Sequence, residues 1–290
     1  MTGENSGMFL NSWLIRFLVT RAARAYGFLD PINLVAKIRG FAEPSEFAEP
    51  LELLRAGMLF HARGLVNTKA IQNNLDWVWP YWVERQFNPA DDSFIPRAFS
   101  FSHINLTHRN WTAVGLPDVA FYPIVDPRGL VTPLFDGWSL DFWLVPATGD
   151  LLLPSRLRGK DFDQGLVLED DLLVRSKASW HGGVTLESEV RLCLQNHEPH
   201  CCVRLKARGL TSGFLAVALR PYNPEGISFV EKIATTADGC GWKINKRNSV
   251  YFDRPPARNL LSVYRDGDVA LRLREPADPV SHVTDPISMA

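Results

Sequence analysis

From about Phe99 onward, apolar and polar residues alternate with a period of two over many short stretches. The stretches predicted as strands are 132–145 (a hairpin), 165–169, 172–180, 184–194, 201–207, 214–220, 227–235, 249–252, 260–264 and 269–273. Turn-forming residues separate them, such as Asp136-Gly137 within the hairpin and Asp266-Gly267 near the end. No helical pattern intervenes, so the sequence predicts a mainly β fold, a large antiparallel β-sandwich.

The first part of the chain has a helical period instead. Asp30-Pro31 is typical of a helix start, and Asn67 is predicted to cap a later helix that ends at Pro80, with a short helical turn over 82–86. The last fifteen residues contain three Pro and lack periodicity. We therefore predict three parts: a helical segment over 1–96 packed on the sandwich, the sandwich over 97–275, and a linker over 276–290.

The stretch 75–115 holds four of the nine Trp residues, namely Trp77, Trp79, Trp82 and Trp111. Large rings can form a structural belt that holds neighbouring elements together, or a platform on which a sugar or a base stacks. We favour the belt, because large aromatic side chains lie more often in a core than in a site.

Charge and cysteine content narrow the classes of partner. The formal net charge is -1, which argues against nucleic-acid binding. Adjacent Cys201 and Cys202 would point to opposite faces of a strand and make a poor disulfide, so we expect a reducing, cytoplasmic compartment. The apolar run 8–19 is too short and too charged to span a bilayer, and we expect it to dock on the protein's own core; a helix lying on a membrane surface is the alternative.

Motifs for familiar chemistry are missing from the sequence. It has no dinucleotide, P-loop or nucleophile-elbow motif, and no Cys or His spacing typical of zinc, so we expect no cofactor and no metal. Carboxylates that could form an acid–base pair are Glu84, Asp91, Asp92, Asp118, Asp126, Asp136 and Asp141. Most of them are better explained as turn and helix-end residues, so we predict no catalytic residue.

The densest polar cluster is HINLTHRNW, over 103–111. Hydrogen-bonding groups beside a stacking ring suit a sugar or another planar ligand, whereas a polar loop bonded to its own backbone is the structural alternative. The candidate substrate-binding residues are His103, His108, Arg109, Asn110 and Trp111.

Three stretches, LDWVWPYWVERQFNP, INLTHRNWTAVGLPD and VALRPYNPEGISFV, resemble the N-terminal region of bacterial glycogen-debranching-like, six-hairpin glycosidases. The resemblance covers most of residues 30–275 and implies a β-supersandwich, which in that family precedes an (α/α)6 catalytic barrel. The barrel carries the family's catalytic carboxylates and has no counterpart in this sequence. No catalytic residue is therefore transferred to this chain.

The resemblance implies a non-catalytic domain of a carbohydrate-active enzyme, whose parent would be a glucosidase or debranching-type hydrolase. This domain would pack against the barrel, in cis or in trans, and shape its cleft. Two alternatives remain open at this stage: a stand-alone carbohydrate-binding module, and an autonomous glycosidase with a carboxylate pair assembled by the fold. A bare docking face drawn from the N-terminal helices or from 75–115 would also make the isolated chain self-associate.

Overall fold

The computed structural model describes residues 62, 64, 66–85, 89, 111–134, 137–168, 172–224, 226–245, 248–275 and 281–290. The chain divides into two compact units, Met1–Ala62 and Arg63–Ala290, and all the described strands belong to the second. Among the described residues, no helix is long and apolar enough to cross a membrane.

The central sheet has five strands in the order β1-β2-β3-β4-β9. Its strands are β1 (Thr112–Ala113), β2 (Ile124–Val125), β3 (Val131–Thr132), β4 (Ser139–Pro146) and β9 (Gly213–Arg220). Strand β4 pairs antiparallel with β9 along its whole length, and seven of its eight residues are buried. Consecutive side chains of a strand point to opposite faces of the sheet. Burial of seven consecutive residues therefore means that the central sheet is covered on both faces at β4.

A second sheet of four strands is formed by the chain between β4 and β9, in the order β5-β6-β7-β8. Its strands are β5 (Phe162–Leu168), β6 (Leu172–Ser179), β7 (Thr185–Gln195) and β8 (Glu198–Arg208). The turn from β7 to β8 contains only Asn196 and His197, both with positive φ (53° and 66°). Positive φ at both residues of a two-residue turn matches the right-handed twist of the flanking strands, so β7 and β8 can pair along their whole length.

A third sheet and two short strand pairs complete the described β structure. The third sheet, ordered β14-β13-β12-β16, contains β12 (Lys232–Thr235), β13 (Gly241–Ile244), β14 (Asn248–Tyr251) and β16 (His282–Thr284). The two pairs are β10 (Tyr222–Asn223) with β11 (Gly226–Ile227), and β15 (Ser262–Val263) with β17 (Ser288–Met289). Short 3₁₀ turns lie at Pro154–Arg156, Gly159–Asp161, His181–Gly183, Tyr264–Asp266 and Val269–Arg272.

The core lies on both sides of the central sheet. On one side, Phe142 and Leu144 pack with Val174 and Val190 of the four-stranded sheet and with Ile233 of the third sheet. On the other side lies a second cluster, which includes Trp77, Trp79, Trp143, Ala218 and Met289. The prediction of a mainly β, antiparallel, sandwich-like fold is confirmed.

Two helices are described before β1. The first, α1, is described over 66–73, and the second, α2, is Tyr81–Glu84. Asn67 lies within α1 and does not cap it; its Oδ1 accepts a 2.8 Å hydrogen bond from the amide of Ile227. Helix α1 ends at residue 73, well before Pro80, because the Asn74 side chain turns back to donate to the carbonyl of Ala70 at 2.7 Å. The predicted short helical turn is α2, which begins directly after Pro80.

Two segments near the C-terminus differ from the sequence prediction. The stretch predicted as a strand over 269–273 is a 3₁₀ turn, because the Asp268 carboxylate accepts from the amide of Ala270 and caps it. Residues 281–290, predicted as part of a linker, contain β16 and β17, and Met289 and Ala290 are buried. Their strands are too short to give an alternating pattern, and their partners lie far away in the sequence.

Candidate functional site

Of the five predicted ligand-binding residues, only Trp111 lies in the part of the chain that the structure describes. It is half-buried and directly precedes β1, and it makes contacts of its own. His103, His108, Arg109 and Asn110 lie outside the described residues, so this site stays a prediction.

Of the seven carboxylates considered for an acid–base pair, those at 84, 118, 126 and 141 are described, whereas Asp91, Asp92 and Asp136 are not.

The indole rings of Trp77, Trp79 and Trp82 are buried. Trp77 and Trp79 stack with centroids 5.5 Å apart, and Trp79 stacks in turn on Tyr222 at 5.7 Å. Tyr264 meets Trp77 edge-on at 5.6 Å. These rings join the segment before α2 to β10 and to the segment after β15. They therefore form the structural belt that the sequence favoured, and they offer no free face to a sugar.

A fully buried ion pair lies beside this aromatic belt. Arg220 and Asp268 are both 0% exposed, and the Nη1 of Arg220 donates to Asp268 Oδ1 at 2.7 Å while its Nη2 bonds to Oδ2. Asp268 also accepts from the amides of Val78 and Ala270, each at 2.9 Å. The Tyr222 hydroxyl accepts from Arg220 Nε at 3.1 Å and donates to the carbonyl of Val78 at 2.7 Å.

This network compensates for the cost of burying two charges. Burial disfavours the charged guanidinium, but the adjacent Asp268 outweighs that effect and raises the pKa of Arg220. The groups come from three parts of the chain: Arg220 and Tyr222 from the junction of β9 and β10, Asp268 from the start of the last 3₁₀ turn, and Val78 from the segment between α1 and α2. The network therefore fixes three segments against one another, and because each of its charged groups is paired we assign it a structural role.

Asp126 lies in the turn between β2 and β3 and is only 1% exposed. Its Oδ1 accepts hydrogen bonds from the amides of Arg128, at 2.7 Å, and Leu130, at 2.9 Å. Its Oδ2 is buried with no hydrogen-bond partner among the described residues. Burial raises the pKa of Asp126 to about 7, and the nearby charge of Asp141 adds to the increase.

Asp141, on β4, is the second buried carboxylate of this region. It accepts a 2.8 Å hydrogen bond from the amide of Phe142, and burial raises its pKa to about 6. A small cavity lined by Asp141, Ser176 and Ser188 lies between the central and the four-stranded sheets. It leaves about 10 Å³ for the centre of a water molecule, which is the room that one water needs. A cavity of this size cannot admit a sugar.

Cysteine and histidine residues meet on the β7–β8 hairpin without forming a ligand set. Cys193 lies opposite His200 in the register, and Cys201 lies opposite Leu192 on the other face. Burial raises the pKa of Cys201 and of Cys202 to about 12, which disfavours the thiolate. Within the described ranges, no three His, Cys, Asp or Glu side chains are placed to hold a metal ion.

The inner face of the four-stranded sheet continues beyond the core that it helps to form. The register places Leu166 in one row with Val174 and Val190, and Leu168 in the next row with Leu172. Val174 and Val190 are fully buried, whereas Leu166 is 61% exposed, Leu168 81% and Leu194 52%. We call Leu166, Leu168 and Leu194 the exposed leucines. Three large apolar side chains on the core-facing side of one sheet are suited to be covered by another surface.

Sequence reasoning considered Asp126 and Asp141 but did not identify Arg220, Tyr222 or Asp268 as a set. Only the run Arg220-Pro221-Tyr222 carried a signal, since a cation and a phenol two residues apart on an extended chain share a face. Nothing near Asp268 marks it as the partner of that cation.

Comparison with protein-family models, with curated proteins and with solved structures found no match to this chain.

Proposed function

We propose that this chain is a non-catalytic β domain of a carbohydrate-active, glycoside-hydrolase-like enzyme. Its role is to pack against an (α/α)6 catalytic barrel, supplied in cis or in trans, and to help shape the barrel's substrate cleft. The sequence resemblance suggests the partner, and the antiparallel sandwich-like fold agrees with a supersandwich.

The exposed leucines are the observation that carries the proposal. Leu166 and Leu168 lie on β5, the edge strand of the four-stranded sheet, and Leu194 lies two strands away on β7. Covering a leucine side chain completely contributes about 1.5–3 kcal/mol. The outer face of the same sheet carries charged residues instead, such as Arg175 and Glu189, which form a 2.9 Å ion pair. An apolar partner surface would therefore dock on the inner face of the sheet and not on its charged outer face.

The buried rings and carboxylates weaken the two alternatives. A stand-alone carbohydrate-binding module would need exposed aromatic platforms, but three of the four Trp residues that the sequence offered as a platform, Trp77, Trp79 and Trp82, are buried. An autonomous glycosidase would need two carboxylates that reach a sugar, but Asp126 and Asp141 are both buried, and the cavity that Asp141 lines has room for one water molecule.

The docking role can be tested with a barrel encoded beside, or in frame with, this chain. We expect the purified chain and barrel to form a complex by size-exclusion chromatography with light scattering. The double change Leu168→Ser with Leu194→Ser should weaken the complex at least 10-fold. The matched control is Val167→Ser, because Val167 lies between Leu166 and Leu168 on β5 and faces the opposite side. Equal loss with the control, or no complex with the unchanged chain, would reject the docking role.

Hydrolysis provides an independent test. We expect the chain alone to release no reducing sugar above blank from starch, maltooligosaccharides or β-glucans, because the candidate carboxylates Asp126 and Asp141 are buried and cannot reach a sugar. A glucosidase of known activity serves as the positive control. Turnover that disappears in Asp126→Asn or Asp141→Asn would contradict the proposal and favour the autonomous enzyme.

A further inference from the structure

The carboxyl of Asp126 is built into its turn asymmetrically. Oδ1 is held by the amides of Arg128 and Leu130, and the Asp126 amide itself donates to the carbonyl of Leu130 at 2.9 Å. The Asp126 carbonyl accepts from Gln164 Nε2, on β5, at 2.8 Å. These contacts fix the residue in place but leave Oδ2 in the interior, with no partner among the described residues.

The charged and titratable groups around Asp126 offer weak compensation for a negative charge. Arg128 lies in the same turn, but its guanidinium donates to the carbonyls of Leu157 and Pro127 and lies over the Tyr81 ring at 5.1 Å. Asp141, on β4, contributes a second acidic group. Tyr81, on α2, is titratable, and its pKa is raised by burial and by the charge of Asp126. Strand β5 faces the turn with the neutral side chain of Gln164.

Groups further away act through Asp141. Arg220 lowers the pKa of Asp141 and Asp268 raises it, but both effects are smaller than that of burial. The guanidinium of Arg220 is already engaged by both oxygens of Asp268. Arg220 is therefore committed to another carboxylate, and Arg128 is the cation whose charge lowers the pKa of Asp126, by less than burial raises it.

We propose that Asp126 is a buried proton acceptor that couples the stability of this β unit to pH. In mildly acidic solution the folded chain holds the carboxyl in its neutral form. As the pH rises, the folded chain must either carry a buried, half-paired carboxylate or unfold. Protonation of one oxygen is therefore part of the native state, and the fold is most stable on the acidic side of neutrality.

The direction follows from linkage. The folded-state pKa of Asp126, about 7, lies above the ordinary value of 3.8, so the folded chain binds the proton more tightly than the unfolded chain. The stabilisation is complete below the ordinary value and is lost as the pH rises through the folded value. Between pH 5 and pH 8 this group alone should raise the unfolding equilibrium constant about 10- to 100-fold.

Urea unfolding of the complete chain at pH 5, 6, 7 and 8 tests the proposal, with Asp126→Asn as the variant. Asn keeps the oxygen that accepts from Arg128 and Leu130 and replaces the orphan oxygen with a neutral amide. We expect the ratio of the wild-type to the variant unfolding constant to rise about 10- to 100-fold from pH 5 to pH 8. The matched control is Asp163→Asn, an exposed residue on β5, for which the ratio should stay constant. A constant or falling ratio for Asp126→Asn would overturn the proposal.

Direct titration keeps the proposal testable if the variant does not fold. The ¹³C carboxyl resonance of Asp126 can be assigned through its own backbone and followed with pH in the wild-type chain. A midpoint near pH 7 supports the proposal, whereas a midpoint near pH 4 overturns it.

Discussion

Two buried aspartates, Asp268 and Asp126, differ in the partners that the protein interior provides for their carboxylates. Asp268 accepts from two amides and from both terminal nitrogens of Arg220, a residue 48 positions away. Asp126 also accepts from two amides, but both bonds go to one oxygen. The difference is a cation supplied by a distant strand. Contacts within a turn supply hydrogen bonds to one carboxylate oxygen of Asp126. The countercharge that engages both oxygens of Asp268 comes from a strand that is distant in the sequence.

The largest effect is expected from removing that cation. Arg220→Met keeps much of the side-chain volume but leaves Asp268 buried without a countercharge. We expect a loss of about 3–5 kcal/mol in the free energy of unfolding at pH 7, measured by urea denaturation. The matched control is Arg265→Met, because Arg265 is 82% exposed and lies 3.8 Å from Asp285. That change should cost at most about 1 kcal/mol. Equal losses in the two variants would remove the distinction between the regions.

A smaller loss is expected from Tyr222→Phe. The hydroxyl that disappears accepts from Arg220 and donates to the carbonyl of Val78. That carbonyl keeps a 3.0 Å bond from Arg220 Nη2, so the variant leaves one buried donor unpaired and not two groups. We expect a loss of about 1–2 kcal/mol, measured by the same unfolding method. A loss as large as that of Arg220→Met would mean that the phenol, and not the ion pair, holds the network together.

The smallest effect connects the two regions through Asp141. The charge of Asp141 raises the pKa of Asp126. The charge of Arg220 lowers the pKa of Asp141, and that of Asp268 raises it. Asp141→Asn removes a neighbouring acidic group, so the midpoint of the Asp126 titration should move to lower pH. The ¹³C carboxyl resonance of Asp126 gives the measurement. An unchanged midpoint would show that burial alone sets the pKa of Asp126.

The candidate groups were only partly predictable from the sequence. Asp126 appears among the carboxylates that the sequence singled out, and Asp126-Pro127-Arg128-Gly129 is a recognisable turn. Its missing partner is not predictable, because burial of Oδ2 depends on the strands packed around the turn. The Arg220–Asp268 pair was missed because nothing within either local segment requires the other. Trp77 and Trp79 were predictable as an aromatic belt, but their stacking partner Tyr222 was not.

The sequence by itself determined the longer antiparallel strands, whereas the short strands β1, β2 and β13 were not predicted. Strands β6, β7 and β9 were predicted to within one residue of their ends, and β8 from its fourth residue onward, because alternation over many residues is a local property that each strand carries. The tertiary structure alone decided that residues 281–290 pair with distant strands, that 269–272 form a capped 3₁₀ turn, and that Arg220 reaches Asp268. These contacts join segments far apart in the chain, and their free energy comes from burial that exists only after the sheets have packed.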